Sequence, residues 1–361
     1  MFVRSVELNN YRNYGSLALD LSPGINLFYG DNAQGKTNLL EAVYACATTS
    51  SHRSSKDREI IAFGAEEAHV RLYVEKRGVT RRLDYHISRA KGKEAAIDGI
   101  PLAKTSELLG QLHVVFFSPE DLKIIKSSPV ERRTFLNVEL CQLSPLYTRL
   151  LVEYKKTLMQ RNALLKEARE KSEYRKLLDI YDEKLSACGE QLMQERAAFT
   201  EELAGIASSI HRDLTEGKET LSISYEPGAD PGKMGETLFM TRDRDIAAGS
   251  TGCGPHRDEI GFAIDEISVK HYGSQGQQRT TALSLKLAEI ELVKRKIGEA
   301  PVLLLDDVLS ELDENRQDKL LGSIREIQTL LTCTGMDEFV KRQINVDKKW
   351  KVVSGSLTQG V

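Results

Sequence analysis

The 361-residue sequence predicts an α/β fold: a mixed sheet plus an antiparallel β meander, with an inserted α-helical hairpin. Three stretches carry that expectation. Gly30-Asp31-Asn32-Ala33-Gln34-Gly35-Lys36-Thr37 lies between an apolar run at Ile25, Leu27 and Phe28 and a helical run at Leu39, Leu40, Val43 and Tyr44. That is the strand–loop–helix setting of a phosphate loop. Residues 69–100 alternate in a two-residue period, as half-buried antiparallel strands do. From Ser144 to His211 the apolar residues instead recur at helical spacing.

The meander reads as Val70, Leu72 and Val74, a turn at Arg77-Gly78, then Leu83, Tyr85 and Ile87, with another turn at Asp98-Gly99. Val114 to Phe117 is a buried strand, and Ser118-Pro119-Glu120-Asp121 starts a helix with Pro in its first position. A further helix begins at Ser128-Pro129. In the helical region one stripe runs Tyr147, Leu150, Leu151, Tyr154, Leu158, Leu165, and a charged interruption follows at 166–173. The second stripe runs from Tyr174 through Leu185, Leu192 and Phe199 to Ile210, broken only at Glu195. Residues 221–250, rich in Gly, Pro and Asp, read as returning strands and loops. A strand follows at Ile260 to Ile264, then a helix over Thr280–Lys296. Three segments are expected: residues 1–130 and 216–361 as the two parts of a head, and 131–215 as a helical lobe.

Composition narrows the function classes. With 50 basic and 53 acidic residues the net charge is −3, so nucleic-acid binding would have to come from a local patch. Charged residues at 29% and apolar residues at 40% describe a folded globular chain. Five scattered cysteines without a C-x-x-C pair argue against a structural zinc site or disulfide framework and suit a reducing cytosol. The N-terminus alternates like a strand and has no secretory core, and no apolar run approaches the about 20 residues of a membrane span. A cytoplasmic, nucleoid-associated protein is expected.

The loop at 30–37 specifies chemistry. Its glycines, Gly30 and Gly35, let backbone N–H groups converge on a polyphosphate at a positive helix start. Lys36 is placed to reach the β- and γ-phosphates of ATP, and the Thr37 hydroxyl to ligate Mg²⁺. A second anion cradle is the small, polar stretch Gly273-Ser274-Gln275-Gly276-Gln277 ahead of a helix. The third element is Pro301-Val302-Leu303-Leu304-Leu305-Asp306-Asp307, a buried strand ending in two acids. Asp306 can hold Mg²⁺ through its water shell, and Asp307 can orient or deprotonate the attacking water. His256, in Gly254-Pro255-His256-Arg257-Asp258, reads on its own as a structural or surface histidine.

In this order the elements resemble an ABC-type P-loop ATPase head, with Ser274 to Gln278 as the signature, Asp306-Asp307 closing the Walker B strand and Ser310-Glu311-Leu312-Asp313 as the D-loop. Within that class the chain resembles the RecF family of bacterial recombination and replication-repair ATPases. The resemblance runs from Asn9-Asn10-Tyr11-Arg12-Asn13-Tyr14 through Ser51-His52-Arg53, Ser118 to Leu122, Glu131 to Leu136 and Gly254 to Asp258. It ends in Gly273 to Arg279 and Asp306-Asp307. It implies that Arg12, Asn13, Asn32, Asn38, Ser274, Gln275, Gly276, Gln277 and Thr332 join Gly30, Gly35, Lys36 and Thr37 around ATP. It also implies catalytic roles for Asp307 and Lys36, and Mg²⁺ at Thr37 and Asp306. Asp307 stands where transporters usually carry Glu, and Thr332 or Thr334 stands in place of the switch histidine. Both departures imply slow hydrolysis.

The same resemblance implies an ATP-dependent homodimer, each protomer's signature closing on its partner's nucleotide. The implied partners are double-stranded DNA beside gaps or single-strand junctions, with RecR and RecO, in the loading of RecA. Candidate phosphate contacts are Arg53, Lys56, Arg58, Lys123, Lys126, Arg132 and Arg133, against the alternative of a solvated charged face. Other readings are an SMC-like chromosome-organising ATPase or a transporter's ATPase subunit. The hairpin, about 50 Å per arm at 1.5 Å per residue, is short for the first. The second lacks such an insertion.

Overall fold

The structure, a computed structural model, describes residues 1–53, 56–168, 172–335 and 346–360, with the side chains of 57, 172–174 and 311 outside the description. By contacts the chain forms two units, Met1–Asp121 with Lys286–Val361, and Leu122–Leu285. The second unit is wider than the helical lobe expected at 131–215, because residues 216–285 pack with the helices.

The first unit opens with β1 (Phe2–Tyr11), β2 (Tyr14–Asp20) and β3 (Ile25–Tyr29), then α1 (Lys36–Thr48). The meander follows as β4 (Glu67–Lys76), β5 (Val79–Ser88), β6 (Gly92–Ile97) and β7 (Ile100–Pro101), then β8 (Val114–Phe117). Arg77-Gly78 and Asp98-Gly99 both take positive φ, the conformation that two-residue hairpin turns need. One antiparallel sheet has the order β2-β1-β4-β5-β6-β7.

The second unit contains α2 (Leu122–Lys126), α3 (Pro129–Leu143), α4 (Pro145–Ala168) and α5 (Leu178–Leu214). Then come β9 (Leu221–Glu226), α6 (Met234–Met240), α7 (Arg242–Ala248), β10 (Glu259–Ile264), β11 (Ile267–Ser268) and α8 (Val269–Tyr272). The 221–250 stretch thus holds two helices where strands and loops were expected. At seven residues each they are too short for a 3.6-residue period to emerge.

α9 (Gln275–Ile297) starts five residues ahead of the expected Thr280, and its later turns belong to the first unit. β12 (Val302–Asp306), α10 (Glu314–Ser323), β13 (Thr329–Cys333), β14 (Lys348–Val353) and β15 (Ser356–Gln359) complete the chain. A second sheet of the first unit has the order β15-β14-β3-β13-β12-β8, parallel except for β15. The phosphate-loop strand β3 lies beside β13, and β13 lies beside the twin-acid strand β12. Helix α1 packs on strands of both sheets, and its residues from Leu39 to Ala47 are fully or nearly fully buried. That explains why its sequence is apolar all round instead of amphipathic.

In the second unit the helices also carry buried charge, at Arg196 and Arg161. Glu195, where the stripe breaks, is exposed, but the next residue, Arg196, is only 2% exposed and donates to Asp258 Oδ2 (2.5 Å), the Pro255 carbonyl (2.5 Å), Tyr147 Oη (2.9 Å) and Asn137 Oδ1 (2.9 Å). Asp258 also accepts from the Gly228 amide (2.7 Å) and the Tyr225 hydroxyl. His256 accepts from or donates to Tyr154 Oη at 2.6 Å and meets the Thr251 carbonyl at 3.0 Å, a structural role. Arg161, fully buried on α4, pairs with Asp182 of α5 (2.6 Å) and Asp245 of α7 (2.8 Å). Such pairs add little over apolar packing but are costly to break, which fixes helix register.

Candidate nucleotide site

The phosphate loop is held from three sides. Asn13 Nδ2 donates to the Gln34 carbonyl (2.9 Å), Tyr14 Oη to the Gly35 carbonyl (3.0 Å), and Asn38 Nδ2 to Asn13 Oδ1 (2.8 Å). From the C-terminal hairpin, the amides of Ser354 and Gly355 donate to Gln34 Oε1 (2.7 Å) and to the Gln34 carbonyl (2.9 Å). Gly35 has φ 113°, and a Cβ there would stand 2.5 Å from Asn13 Nδ2. Gly355 has φ 75°, and its Cβ would stand 2.3 Å from the Asn13 carbonyl oxygen. The two glycines therefore let the hairpin turn and the loop close on Asn13 together. Tyr14, Gln34, Ser354 and Gly355 were missed as site residues; β14 and β15 carry no motif, and only their pairing beside β3 brings them here.

Lys36 turns back into the loop, its Nζ donating to the carbonyls of Gly30 (2.6 Å) and Asp31 (2.8 Å). Helix α1 begins after Gly35 with no side chain capping its first amides. An ammonium and a set of helix-start N–H groups thus face one small volume, and these residues fit a polyphosphate. Asp31 and Asn32 are exposed on the rim.

Thr37 Oγ1 donates to Asp306 Oδ1 at 2.8 Å, so β3–α1 and β12 deliver a hydroxyl and a carboxylate to one point. Hard oxygens of this kind suit Mg²⁺, which keeps water and phosphate as its other ligands. Among the described residues no cluster of three or more His, Cys, Asp or Glu could hold a metal alone. Thr332, 1% exposed on β13, donates to Asp306 Oδ1 (2.8 Å) and accepts from the Asp307 amide (3.0 Å). Asp307 follows in the left-handed conformation, φ 54°, which turns it off the strand line. Thr334 is exposed beyond the strand end. Of the two threonines left open by sequence, Thr332 is the one joined to both acids.

Arg12, expected around ATP, is tied to helix α1. Its Nε and Nη2 donate to the two carboxylate oxygens of Glu41 at 2.9 and 2.8 Å, and its Nη1 to the Glu59 carbonyl at 2.7 Å. These bonds brace α1. Glu41 was missed as well, although a lone acid within Leu-Leu-Glu-Ala-Val-Tyr-Ala is the signal of a buried, paired charge.

In the second unit, Ser274 and Gln277 form a reciprocal cap on α9. Ser274 Oγ accepts the Gln277 amide (3.2 Å), and Gln277 Oε1 accepts the Ser274 amide (2.9 Å). This cap is why α9 starts early. Gln277 Nε2 donates to Glu219 Oε1 (3.0 Å), so its side chain shapes the helix start, while Ser274, Gln275 and Gly276 are exposed on it.

The basic candidates separate. Arg53, Lys56 and Arg58 are exposed in the first unit, and Lys123 and Lys126 in the second. Arg132 is corrected: it is 2% exposed, bonded to Glu259 Oε1 (2.5 Å) and Oε2 (2.7 Å) and to the Ile124 and Ser127 carbonyls (each 2.9 Å). Its place on the inner face of α3 gives it a structural role. Arg133 is half-buried and donates to the Asp258 carbonyl (2.9 Å).

The family model described as RecF/RecN/SMC N terminal domain matches residues 2–351. The DNA replication and repair protein RecF of Lachnoclostridium phytofermentans is 52% identical over 360 residues, covering all of both chains. That of Agathobacter rectalis is 49% identical over 357 residues, 99% of each. Among solved structures, the recombination mediator protein RecF-ATP in the RecFOR pathway superposes with TM-score 0.94 at 34% identity, covering 100% of this chain and 98% of that one. An Smc head bound to the C-winged helix domain of ScpA superposes with TM-score 0.56 at 17% identity, over 100% and 97%, a likeness of fold alone.

Proposed function

This chain belongs to the RecF/RecN/SMC N-terminal-domain family, and on that premise we propose an ATP-dependent DNA-binding protein of recombinational repair whose nucleotide state controls dimerisation and grip on duplex DNA. The observation that carries the ATPase reading is the chain Thr37–Asp306–Thr332–Asp307, which joins the phosphate loop to the twin acids. Relatives identical at about half of all positions are DNA replication and repair proteins, which supports the DNA reading.

In this reading Lys36 leaves the loop carbonyls for the β- and γ-phosphates, and the first amides of α1 hold the remaining oxygens. Thr37 and Asp306 would hold Mg²⁺, which would offset phosphate charge when bound. Asp307, held by Thr332 at its amide, orients a water and takes its proton as the water oxygen bonds to the γ-phosphorus and the bond to the bridging oxygen breaks, with ADP as the leaving group. The exposed start of α9 closes on the γ-phosphate held by a second copy, making a homodimer. Hydrolysis is slow and opens the dimer again. Arg53, Lys56, Arg58, Lys123, Lys126 and Arg133 contact duplex phosphates near gaps, and RecR and RecO are the expected partners.

The test is DNA affinity with and without ATP, on duplex, single-strand and gapped substrates across a salt series, with light scattering for mass. Tighter duplex binding and doubled mass in ATP support the reading. Equal binding with and without ATP refutes it.

A further inference from the structure

Glu41 is the meeting point of two systems. On one side Arg12 grips it with two hydrogen bonds of 2.9 and 2.8 Å, and Arg12 is followed directly by Asn13 and Tyr14, which hold the phosphate loop at Gln34, Gly35 and Asn38. On the other side the Ser51 hydroxyl donates to Glu41 Oε1 and accepts the Arg53 amide (3.1 Å). The far end of the basic segment is held by the same arginine: Arg12 Nη1 donates to the Glu59 carbonyl (2.7 Å) and the Arg12 amide to the Ile60 carbonyl (2.7 Å). Arg53, Lys56 and Arg58 therefore lie between two anchors that both lead to the Arg12–Glu41 pair.

Glu41 itself is fully buried on α1, one turn past Thr37, so any shift of the helix start moves its carboxylate. The Tyr11 hydroxyl is buried with no hydrogen-bond partner among the described residues and lies within the field of Glu41.

We propose that Glu41 is a positioning residue that couples the phosphate loop to the basic segment carrying Arg53, Lys56 and Arg58, so that nucleotide binding sets how those side chains meet duplex phosphates. The inference rests on the nucleotide and DNA reading above and adds the path between the two sites. Coupling of this kind is reciprocal: DNA on the basic segment tightens nucleotide binding by the same factor that ATP tightens DNA binding.

The test compares the full chain with Glu41→Gln and Ser51→Ala. Each is assayed for ATP affinity, for duplex affinity with and without ATP, and for hydrogen exchange of peptides covering 56–62. In the wild type, ATP tightens duplex binding and changes exchange in 56–62. In both variants ATP affinity stays within about threefold, while the ATP-driven gain in duplex affinity falls at least fivefold and the exchange response of 56–62 disappears. Should Glu41→Gln fail to fold, Ser51→Ala alone carries the contrast, since it removes one hydroxyl and leaves Arg12 paired. Variants that keep the full ATP-driven gain overturn the relay and leave the functional reading intact. ATP affinity lost along with the gain also overturns it, by making Glu41 part of the nucleotide cradle. A wild-type chain whose DNA affinity ignores ATP overturns the functional reading and the relay together.

Discussion

The Thr332 hydroxyl holds Asp307 in place: it accepts that residue's amide at 3.0 Å while donating to Asp306 at 2.8 Å. One buried side chain on β13 thus holds Asp306 by its carboxylate and Asp307 by its backbone amide, and Asp307 turns off the strand at φ 54°. Asn tolerates this left-handed conformation as well as Asp does. Asp307→Asn should therefore fold normally, lower ATP turnover by about 10²-fold or more, and accumulate the ATP-bound dimer on light scattering. Unchanged turnover removes Asp307 from the role of water-activating base.

Lys36 makes charged hydrogen bonds to two loop carbonyls and is the cation nearest to them. Lys36→Met should weaken ATP binding by about 1.5–3 kcal/mol, roughly ten- to a hundredfold, measured by calorimetry. Normal affinity in that variant places the nucleotide elsewhere.

Ser274 caps α9 and is exposed there. Ser274→Arg should cost about 1 kcal/mol of helix stability through the lost cap. It should leave ATP binding intact and abolish the ATP-dependent doubling of mass. A variant that still dimerises in ATP shows that the α9 start does not meet the partner's nucleotide.

Arg132 and Lys126 stand six residues apart in sequence and should behave oppositely. Arg132→Ala strands Glu259 and should lower unfolding free energy by about 2–3 kcal/mol in a denaturant titration, whether or not DNA affinity changes. Lys126→Ala should leave stability unchanged and reduce the salt slope of duplex binding by about one ion. A stable Arg132→Ala chain with weakened DNA binding reverses the structural assignment.

His52 packs on Phe116 with ring centroids 4.2 Å apart and on Tyr44 at 5.4 Å. Burial, and next the charge of Lys286, pull its pKa down from 6.5 to about 4. The folded state thus disfavours the protonated ring. Its contribution to stability is complete above pH 6.5 and is lost as pH falls from 6.5 toward 4. His52→Phe keeps a ring against Phe116 and should flatten the stability profile across that window in denaturant titrations at pH 7, 6 and 5. A profile as steep as wild type assigns the acid sensitivity to other groups.

The sequence by itself determined the parts whose chemistry is local. A phosphate loop and an apolar strand ending in two acids each depend on residues within eight positions of one another, so Gly30 to Thr37 and Asp306-Asp307 could be read directly, whereas Ser274 to Gln277 was read as a polar stretch ahead of the helix and not as its cap. The meander was legible for the same reason, since its two-residue period and its turns are local.

Tertiary structure decided what depends on neighbours far along the chain. Nothing around Arg132 or Arg196 distinguishes a buried guanidinium from a solvated one until Glu259 and Asp258 arrive from β10 and its approach. Arg12 turns inward because Glu41 is buried and must be paired. Gly355 braces the phosphate loop only because β14 lies parallel beside β3. Charge and hydrogen-bond partners are chosen by burial, and burial is a property of the packed chain.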